Sequence, residues 1–423
     1  MTSSPQGRWP DVTVGIFGGG QLGRMLALEA RRMGIRTCVL DPDPRCAAGQ
    51  VADHHLVASF SDRAAARGLA ARADVITYEF EHIDASLLAD AETLRPVHPS
   101  SSVLKLVQHR VRQKEGLRRL GFPQAAFLPV DTWHDLEQGF RSLGLPAVLK
   151  TATSGYDGKG QAVIRHQDAA HSSYQLLRPR SDMLVLEEFI PFEKELSVIC
   201  ARDGQGNTAC YPVVENIHSN GILDLTLAPA RVNETVAAAA QELARNIAQQ
   251  LEVIGLVCVE MFLTRDQRLL VNELAPRPHN SGHLTLDACP TSQFEQLLRV
   301  LCQLPLGATE LTTPAVMANL LGDLWLGAGG DPSTGSGHRL DFAAALAVPG
   351  VKLHLYGKHG TYPGRKMGHL CAIAPTLETA LSRALAARSV LTARAKAKSL
   401  GIGDSGHTDT SMRTISERPE PRS

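Results

Sequence analysis

Two acidic side chains stand out in GLVCVEMFLTRDQRLLVNELAPR, residues 255–277, where apolar runs flank Arg265-Asp266-Gln267-Arg268. If Asp266-Gln267 is a two-residue hairpin loop, Arg265 faces Arg268, and counting back along both strands sets Glu260 opposite Glu273. Such partners share a face with Cβ atoms about 4.5–5.5 Å apart. Carboxylates that close repel unless a proton or cation intervenes. Hard oxygen ligands that keep waters and join substrate phosphates describe Mg²⁺, and Asn272 adjoins the pair. Pairing with arginines is the alternative, although Arg265 and Arg268 lie far along the strands, and Asp-Gln is not a favoured turn pair.

A second group is PAVLKTATSGYDGKGQ, residues 146–161: a strand ending in Lys150, then Gly155, Gly158 and Gly160 around Lys159. Backbone N–H groups and two ammoniums suit a polyphosphate. GxxxxGK[ST] is absent, so this is not a P-loop, and a plain surface hairpin is the other reading. Tyr156 and Asp157 at its tip could reach a second substrate.

In VGIFGGGQLGRM, residues 14–25, Gly18, Gly20 and Gly23 satisfy GxGxxG, and Asp41 ends the next strand at the distance of a dinucleotide fingerprint. The helix N-terminus favours any anion, so the motif leaves NAD, another ligand and a structural turn all open. The last group is cationic: Arg277, His279 and Asn280 in PRPHNSGH, and Lys358, Arg365 and Lys366 in YGKHGTYPGRKMGH. Beside Gly and Pro these read as ligand-facing loops or as solvated ones.

The elements that must position these residues follow from periodicity. VTVGIF, a helix over Gln21–Met33 and Thr37–Leu40 make a strand–helix–strand unit, hence a parallel sheet, with Asp74–Glu79 as a further strand. Ser100-Ser101-Ser102 cap a helix reaching about Leu120. Residues 1–100 are therefore read as a Rossmann-like domain. Residues 101–305 form an α+β region, 306–395 a small domain with strands at Pro314–Asn319 and Leu353–Tyr356, and 396–423 a disordered tail. The stretch 327–338 is too rich in Gly and Ser to pack.

With 423 residues the chain can bury a real core in two or three domains. Lys+Arg and Asp+Glu are 43 each, so no global field recruits nucleic acid or an anionic membrane. The 8 cysteines, without a CxxC, read as reduced, mostly buried thiols. No secretory signal and no run of about 18 apolar residues is visible, so a cytoplasmic location is expected.

Lysine, glycine hairpin, VLEEFIPFEKELSV and paired acids, in that order, resemble the ATP-grasp ligases. GGGQLGRM, TYEFEHI, SGYDGKGQ, NELAPRPHNSGH and PGRKMGHL together resemble the N5-carboxyaminoimidazole ribonucleotide synthase family over about residues 12–375. The resemblance implies an ATP-grasp fold with a lid subdomain at about 115–190, and a carboxylating ligase of purine biosynthesis. Bicarbonate would join the 5-amino group of aminoimidazole ribonucleotide through carboxyphosphate, with ATP converted to ADP and phosphate. It implies ATP phosphates at Arg110, Lys150 and Gly155–Gln161, which includes Tyr156, Gly158, Lys159 and Gly160. Adenine would lie at the hinge Glu187, Glu188, Phe189 and Ile190, the ribose at Glu195, and His218 near the nucleotide. Mg²⁺ would sit on Glu260 and Glu273 beside Asn272, and carboxyphosphate on Arg277, His279 and Asn280. The ribonucleotide would meet Lys358 and Arg365 at its phosphate, and Tyr156, Asp157, Gln21, Leu22 and Glu79. Asp157 would orient or deprotonate the amine under a closing hairpin, and the enzyme would be a homodimer. Ser154, where the family commonly has glycine, is a mild departure. A formate-dependent transformylase, a biotin-type carboxylase, an NAD-dependent dehydrogenase and a non-catalytic nucleotide-binding regulator remain the alternatives.

Overall fold

The computed structural model describes residues 9–153, 155, 159–326 and 340–399. The chain opens with β1 (Thr13–Phe17), α1 (Gln21–Arg32), β2 (Arg36–Asp41), β3 (His54–Val57), α2 (Arg63–Arg72), β4 (Val75–Tyr78) and α3 (Ala85–Glu92). The four strands make a parallel sheet in the order β3-β2-β1-β4, as the alternating pattern predicts. Burial along all of β1 explains why it reads as an unbroken apolar run.

The single helix expected over 100–120 is two helices, α4 (Ser101–Val107) and α5 (Arg110–Arg119). Gln108 donates its side-chain amide to the carbonyls of Glu81 and Ile83, and His109 is extended with its ring accepting from the Arg112 N–H. The break makes Arg110 the first residue of a helix. Its N–H donates to the Ala152 carbonyl at 2.7 Å, next to the end of the Lys150 strand.

A second sheet, antiparallel in the order β5-β8-β6-β7, is built from β5 (Phe127–Val130), β6 (Ala147–Thr151), β7 (Gln161–Ile164) and β8 (Leu184–Glu188), with α6 (Trp133–Leu143) and α7 (Ala170–Leu177). Lys150 pairs with Gln161 across the glycine hairpin.

The largest sheet contains β9 (Phe192–Arg202), β10 (Thr208–Cys210), β11 (Val214–Ser219), β12 (Ile222–Ala228), β13 (Gly255–Thr264), β14 (Leu269–Ala275), β15 (Ala315–Leu321), β16 (Val351–Leu355) and β17 (Lys366–Ile373). Its order is β14-β13-β9-β11-β12-β15-β17-β16, with β10 on β9. Helix α8 (Glu234–Gln250) packs Ala240, Ala244 and Ile247 into the core under β9 and β13. After α9 (Thr285–Ala288), α10 (Gln293–Leu301) shares a core with α1 and β1, tying the first sheet to the third. Beyond α11 (Asp323–Leu326) and α12 (Phe342–Leu346), α13 (Leu377–Ser399) sets Ala380, Ala384, Ala387 and Leu391 on β15 and β17.

Three expectations change. The strand read over 353–356 is Val351–Leu355, and Lys366, taken as part of a loop, opens the unanticipated strand β17. The last strands extend the large sheet, since β15 pairs directly with β12. Helix α13 passes the expected onset of disorder at 396, while 327–338 and 400–423 lie outside the described residues. All eight cysteines are free, with only Cys210 and Cys289 less than fully buried. Among the described residues no helix is long and apolar enough to cross a membrane.

Candidate active site

Glu260 does face Glu273, by a route different from the one counted. The loop has three residues, closed by the Thr264 N–H donating to the Arg268 carbonyl at 3.0 Å, and Gln267 takes the left-handed φ of 61° common in such loops. Met261 therefore faces Val271, and a bulge at Asn272 restores the counted register one step later. Neither carboxylate stands alone. Glu260 Oε1 lies 2.9 Å from His279 Nε2, and Glu273 Oε2 accepts from both terminal nitrogens of Arg110 at 3.2 Å. Cations thus meet the pair, but from α5 and the segment after β14 and not from the hairpin's own arginines. Burial alone would raise Glu260; the His279 bond and the charges of His279, His218 and Arg277 hold its carboxyl well below the usual range. Asn272 Oδ1 is buried without a hydrogen-bond partner. Among the described residues no cluster of three or more His, Cys, Asp or Glu forms a metal site. Two carboxylates and one unpartnered amide oxygen nonetheless form a hard-oxygen set that fits Mg²⁺.

Across from the hairpin, Lys150 Nζ donates to Glu187 Oε2 at 2.9 Å. Lys114, overlooked in the sequence, approaches the same oxygen at 3.3 Å. Its signal was present: it lies four residues after Arg110, on the same helix face. Burial would raise Glu187, but Lys150 and Lys114 hold it down at about 2. Glu188 is exposed, and Arg165 lies 5.5 Å from the Phe189 ring. Ile190, just after β8, joins Ala125, Leu270 and Phe262 in an apolar patch. His218 Nδ1 bonds Glu195. Lys159 and Gln161 are exposed, and a Cβ on Gly160 (φ 78°) would meet Thr151 Oγ1 at 2.5 Å, with Gly155 as another neighbour. Tyr156, Asp157, Gly158 and Ser154 lie outside the described residues.

The segment after β14 is held by Gln293, unnoticed in the sequence, which accepts from the His279 N–H and donates to the His279 carbonyl, both at 2.8 Å. His279 Nδ1 lies 2.9 Å from Ser281 Oγ, which holds the ring against Glu260. Arg277 Nε lies 2.8 Å from Glu81 Oε1, another residue the sequence did not single out. Asn280 is buried with both ends of its side-chain amide unpartnered. An unsatisfied buried group costs about 1–3 kcal/mol, and a ligand at this loop would remove that cost.

The glycine fingerprint is filled from within. Glu79 accepts from the N–H groups of Gly20 and, at 2.6 Å, Gly23, while Asp41 Oδ2 accepts from the Gly19 N–H at 2.7 Å. The carboxylates occupy the donors a pyrophosphate would need, which removes the dinucleotide alternative. Burial raises the Glu79 carboxyl above its ordinary range, opposed by those two N–H groups. A Cβ on Gly23 would lie 2.7 Å from the Gly18 carbonyl oxygen. Gly→Ala within a helix normally gains about 1 kcal/mol. Here Gly23→Ala is expected to destabilise by about 1–3 kcal/mol, read as a fall in Tm, and an unchanged Tm would refute the close approach.

Gln21 Oε1 accepts from Lys358 Nζ at 2.6 Å, so the C-terminal strands return a cation to the first glycine turn. Gln50 fastens that return by donating to the Gly357 carbonyl at 2.7 Å. Leu22 packs its side chain into the core. Arg365 Nη1 donates to the carbonyls of His359 and Gly360 and braces its own loop.

Three domain families match the chain in order. They are the ribonucleotide synthetase preATP-grasp domain over residues 12–108, the ATP-grasp domain over 115–294 and the phosphoribosylaminoimidazole carboxylase C-terminal domain over 315–383. The N5-carboxyaminoimidazole ribonucleotide synthase of Bacillus subtilis (strain 168) is 44% identical over 362 residues, 86% of this chain and 91% of that protein. The phosphoribosylaminoimidazole carboxylase of Saccharomyces cerevisiae is 39% identical over 86% of this chain, which spans 64% of that longer protein. A solved N5-carboxyaminoimidazole ribonucleotide synthetase in complex with ADP shares 41% identity and a TM-score of 0.83, covering 91% of this chain and 98% of that one. The Aspergillus clavatus enzyme in complex with ADP and 5-aminoimidazole ribonucleotide shares 36% and a TM-score of 0.81, over 90% and 98%. With these relatives spanning nearly all of the described fold, the chain belongs to the N5-carboxyaminoimidazole ribonucleotide synthases, a family of ATP-grasp ligases.

Proposed function

We propose that the chain couples conversion of ATP to ADP and phosphate to the carboxylation of 5-aminoimidazole ribonucleotide by bicarbonate, giving N5-carboxyaminoimidazole ribonucleotide. The observation that carries this is the pairing of opposite charges in the site: Arg110 with Glu273, His279 with Glu260 and Lys150 with Glu187. Each of these three cations, suited to a phosphate or carboxyphosphate, rests on a carboxylate.

ATP binds with its adenine at Glu187–Ile190, its ribose at Glu195 near His218, and its phosphates at Arg110, Lys150 and the 155–161 hairpin. Bicarbonate is a poor electrophile, so its oxygen first attacks the γ-phosphorus and ADP leaves. Arg277, His279 and Asn280 hold the resulting carboxyphosphate. The ribonucleotide amine, oriented or deprotonated by Asp157, attacks the carboxyl carbon, and phosphate departs. Lys358 and Arg365 hold the ribonucleotide phosphate, and Glu79 acts by fixing the glycine turn that presents Gln21. Glu260, Asn272 and Glu273 would hold Mg²⁺, which would supply charge neutralisation at the phosphoryl groups. A cytoplasmic homodimer is the setting proposed from the family resemblance.

ADP release, measured with all three substrates and with each omitted, tests the reading. Omission of bicarbonate or of the ribonucleotide is expected to return the rate to background, and formate is expected not to replace bicarbonate. Undiminished release without bicarbonate would overturn the assignment.

A further inference from the structure

Lys114 has no part in the mechanism above, yet its side chain is 1% exposed, an expensive place for an ammonium. It reaches Glu187 Oε2 at 3.3 Å without hydrogen-bond geometry and lies 5.3 Å from the centre of the Phe127 ring. Glu187 Oε1 is likewise buried and unpartnered. Lys150 makes the well-formed bond, at 2.9 Å, to the oxygen that Lys114 only approaches. The cluster therefore holds unspent capacity on both sides: N–H donors on Lys114 and a whole carboxylate oxygen on Glu187. Burial pushes Lys114 down to about 8 against the pull of Glu187, the mark of a charge imperfectly compensated in this state.

The arrangement makes sense if one of the two lysines has a second engagement. Lys150 lies one residue before the end of the strand that leads into the glycine hairpin, whereas Lys114 lies inside α5 with its side chain almost wholly enclosed. Only Lys150 can turn toward a ligand at the hairpin. Without a second cation, that turn would leave Glu187 ionised and uncompensated in the interior, where breaking a buried pair is strongly unfavourable.

We propose that Lys114 is a positioning residue for ATP binding: it takes over the Glu187 carboxylate when Lys150 turns to the phosphates. Lys114 itself touches no ATP atom. It releases Lys150 from a competing anion and keeps β8, which carries the adenine hinge, in place. The inference rests on the proposed role of Lys150 at the ATP phosphates.

The test is a double-substitution cycle on the full chain, reading ATP affinity by calorimetry with bicarbonate and ribonucleotide absent, alongside Tm without nucleotide. Lys114→Met is expected to weaken ATP binding by about ten- to a hundredfold, with little change in nucleotide-free Tm because Lys150 still holds Glu187. Adding Glu187→Gln removes the anion that traps Lys150, so the loss on Lys114→Met is expected to be much smaller in the Glu187→Gln background than in the unsubstituted chain, whatever Glu187→Gln alone costs at the adenine. Undiminished affinity in Lys114→Met overturns the proposal, as does an equal loss on Lys114→Met in the Glu187→Gln background. If Lys114→Met does not fold, Lys114→Gln, which fits the space and still hydrogen-bonds, carries the same cycle. Failure of the unsubstituted chain to bind ATP would instead count against the functional reading itself.

Discussion

Glu273→Gln is expected to lower bicarbonate-dependent ADP release by about 10²–10³-fold at fixed Mg²⁺, the effect of losing several kcal/mol of charge stabilisation at the phosphoryl groups. The substitution keeps the shape of the side chain and removes its charge, in a position that faces Glu260 and bonds Arg110. Two consequences separate a metal-binding role from a merely structural one. The Mg²⁺ concentration for half-maximal rate is expected to rise, because one anionic oxygen donor is gone. ATP affinity measured without Mg²⁺ is expected to tighten, because Arg110 no longer rests on an anion. A variant that keeps more than half of the rate at unchanged Mg²⁺ demand would show that Glu273 serves only to hold Arg110.

The second large effect is expected at Arg277. Arg277→Gln should lower kcat by about 10²–10³-fold, the cost of removing one preorganised donor from developing charge, while the KM for ATP moves less than about threefold. Carboxyphosphate held less firmly is lost to water before the amine attacks, so the ratio of ADP to carboxylated product should rise well above one. Glu81→Gln, which removes only the partner 2.8 Å from Arg277 Nε, is expected to show a smaller loss of about tenfold with the same uncoupling. A kcat within threefold of the unsubstituted chain, with tight coupling, would remove Arg277 from the reaction.

The central pair of acids was legible in the sequence, although two miscounts cancelled. A three-residue loop moved the register one way and the Asn272 bulge moved it back. No periodicity shows a bulge in advance, since its signature is a missing alternation inside an otherwise apolar strand. The glycine fingerprint misled in the opposite sense. Its spacing is that of a phosphate turn, but the anion that fills it, Glu79, belongs to a distant strand end. Strand β17 escaped because Met367 to Ala372 are all buried, which erases a period of two, and the Gly-Arg-Lys before them reads as loop. Lys114 escaped because a lysine inside Arg-rich α5 reads as solvated, and only tertiary packing on Glu187 reveals otherwise. Local chemistry was visible wherever it sat on one hairpin or one loop. What joins separate loops, such as Lys358 to Gln21 or Gln293 to His279, has no local spacing to betray it.

The continuity of the large sheet has a bearing on how the polypeptide is made. One edge of β12 is covered by β15, which emerges from the ribosome only after α8, the acidic hairpin and α10. Synthesis runs from the N-terminus, so the nascent chain passes through a stage in which the parallel sheet and the nucleotide half are complete while β12 presents an open row of N–H and C=O groups. That edge is where a translation intermediate would pair wrongly with a neighbour. The last strands thus do two jobs in succession, first sealing an aggregation-prone border and then delivering Lys358 to Gln21.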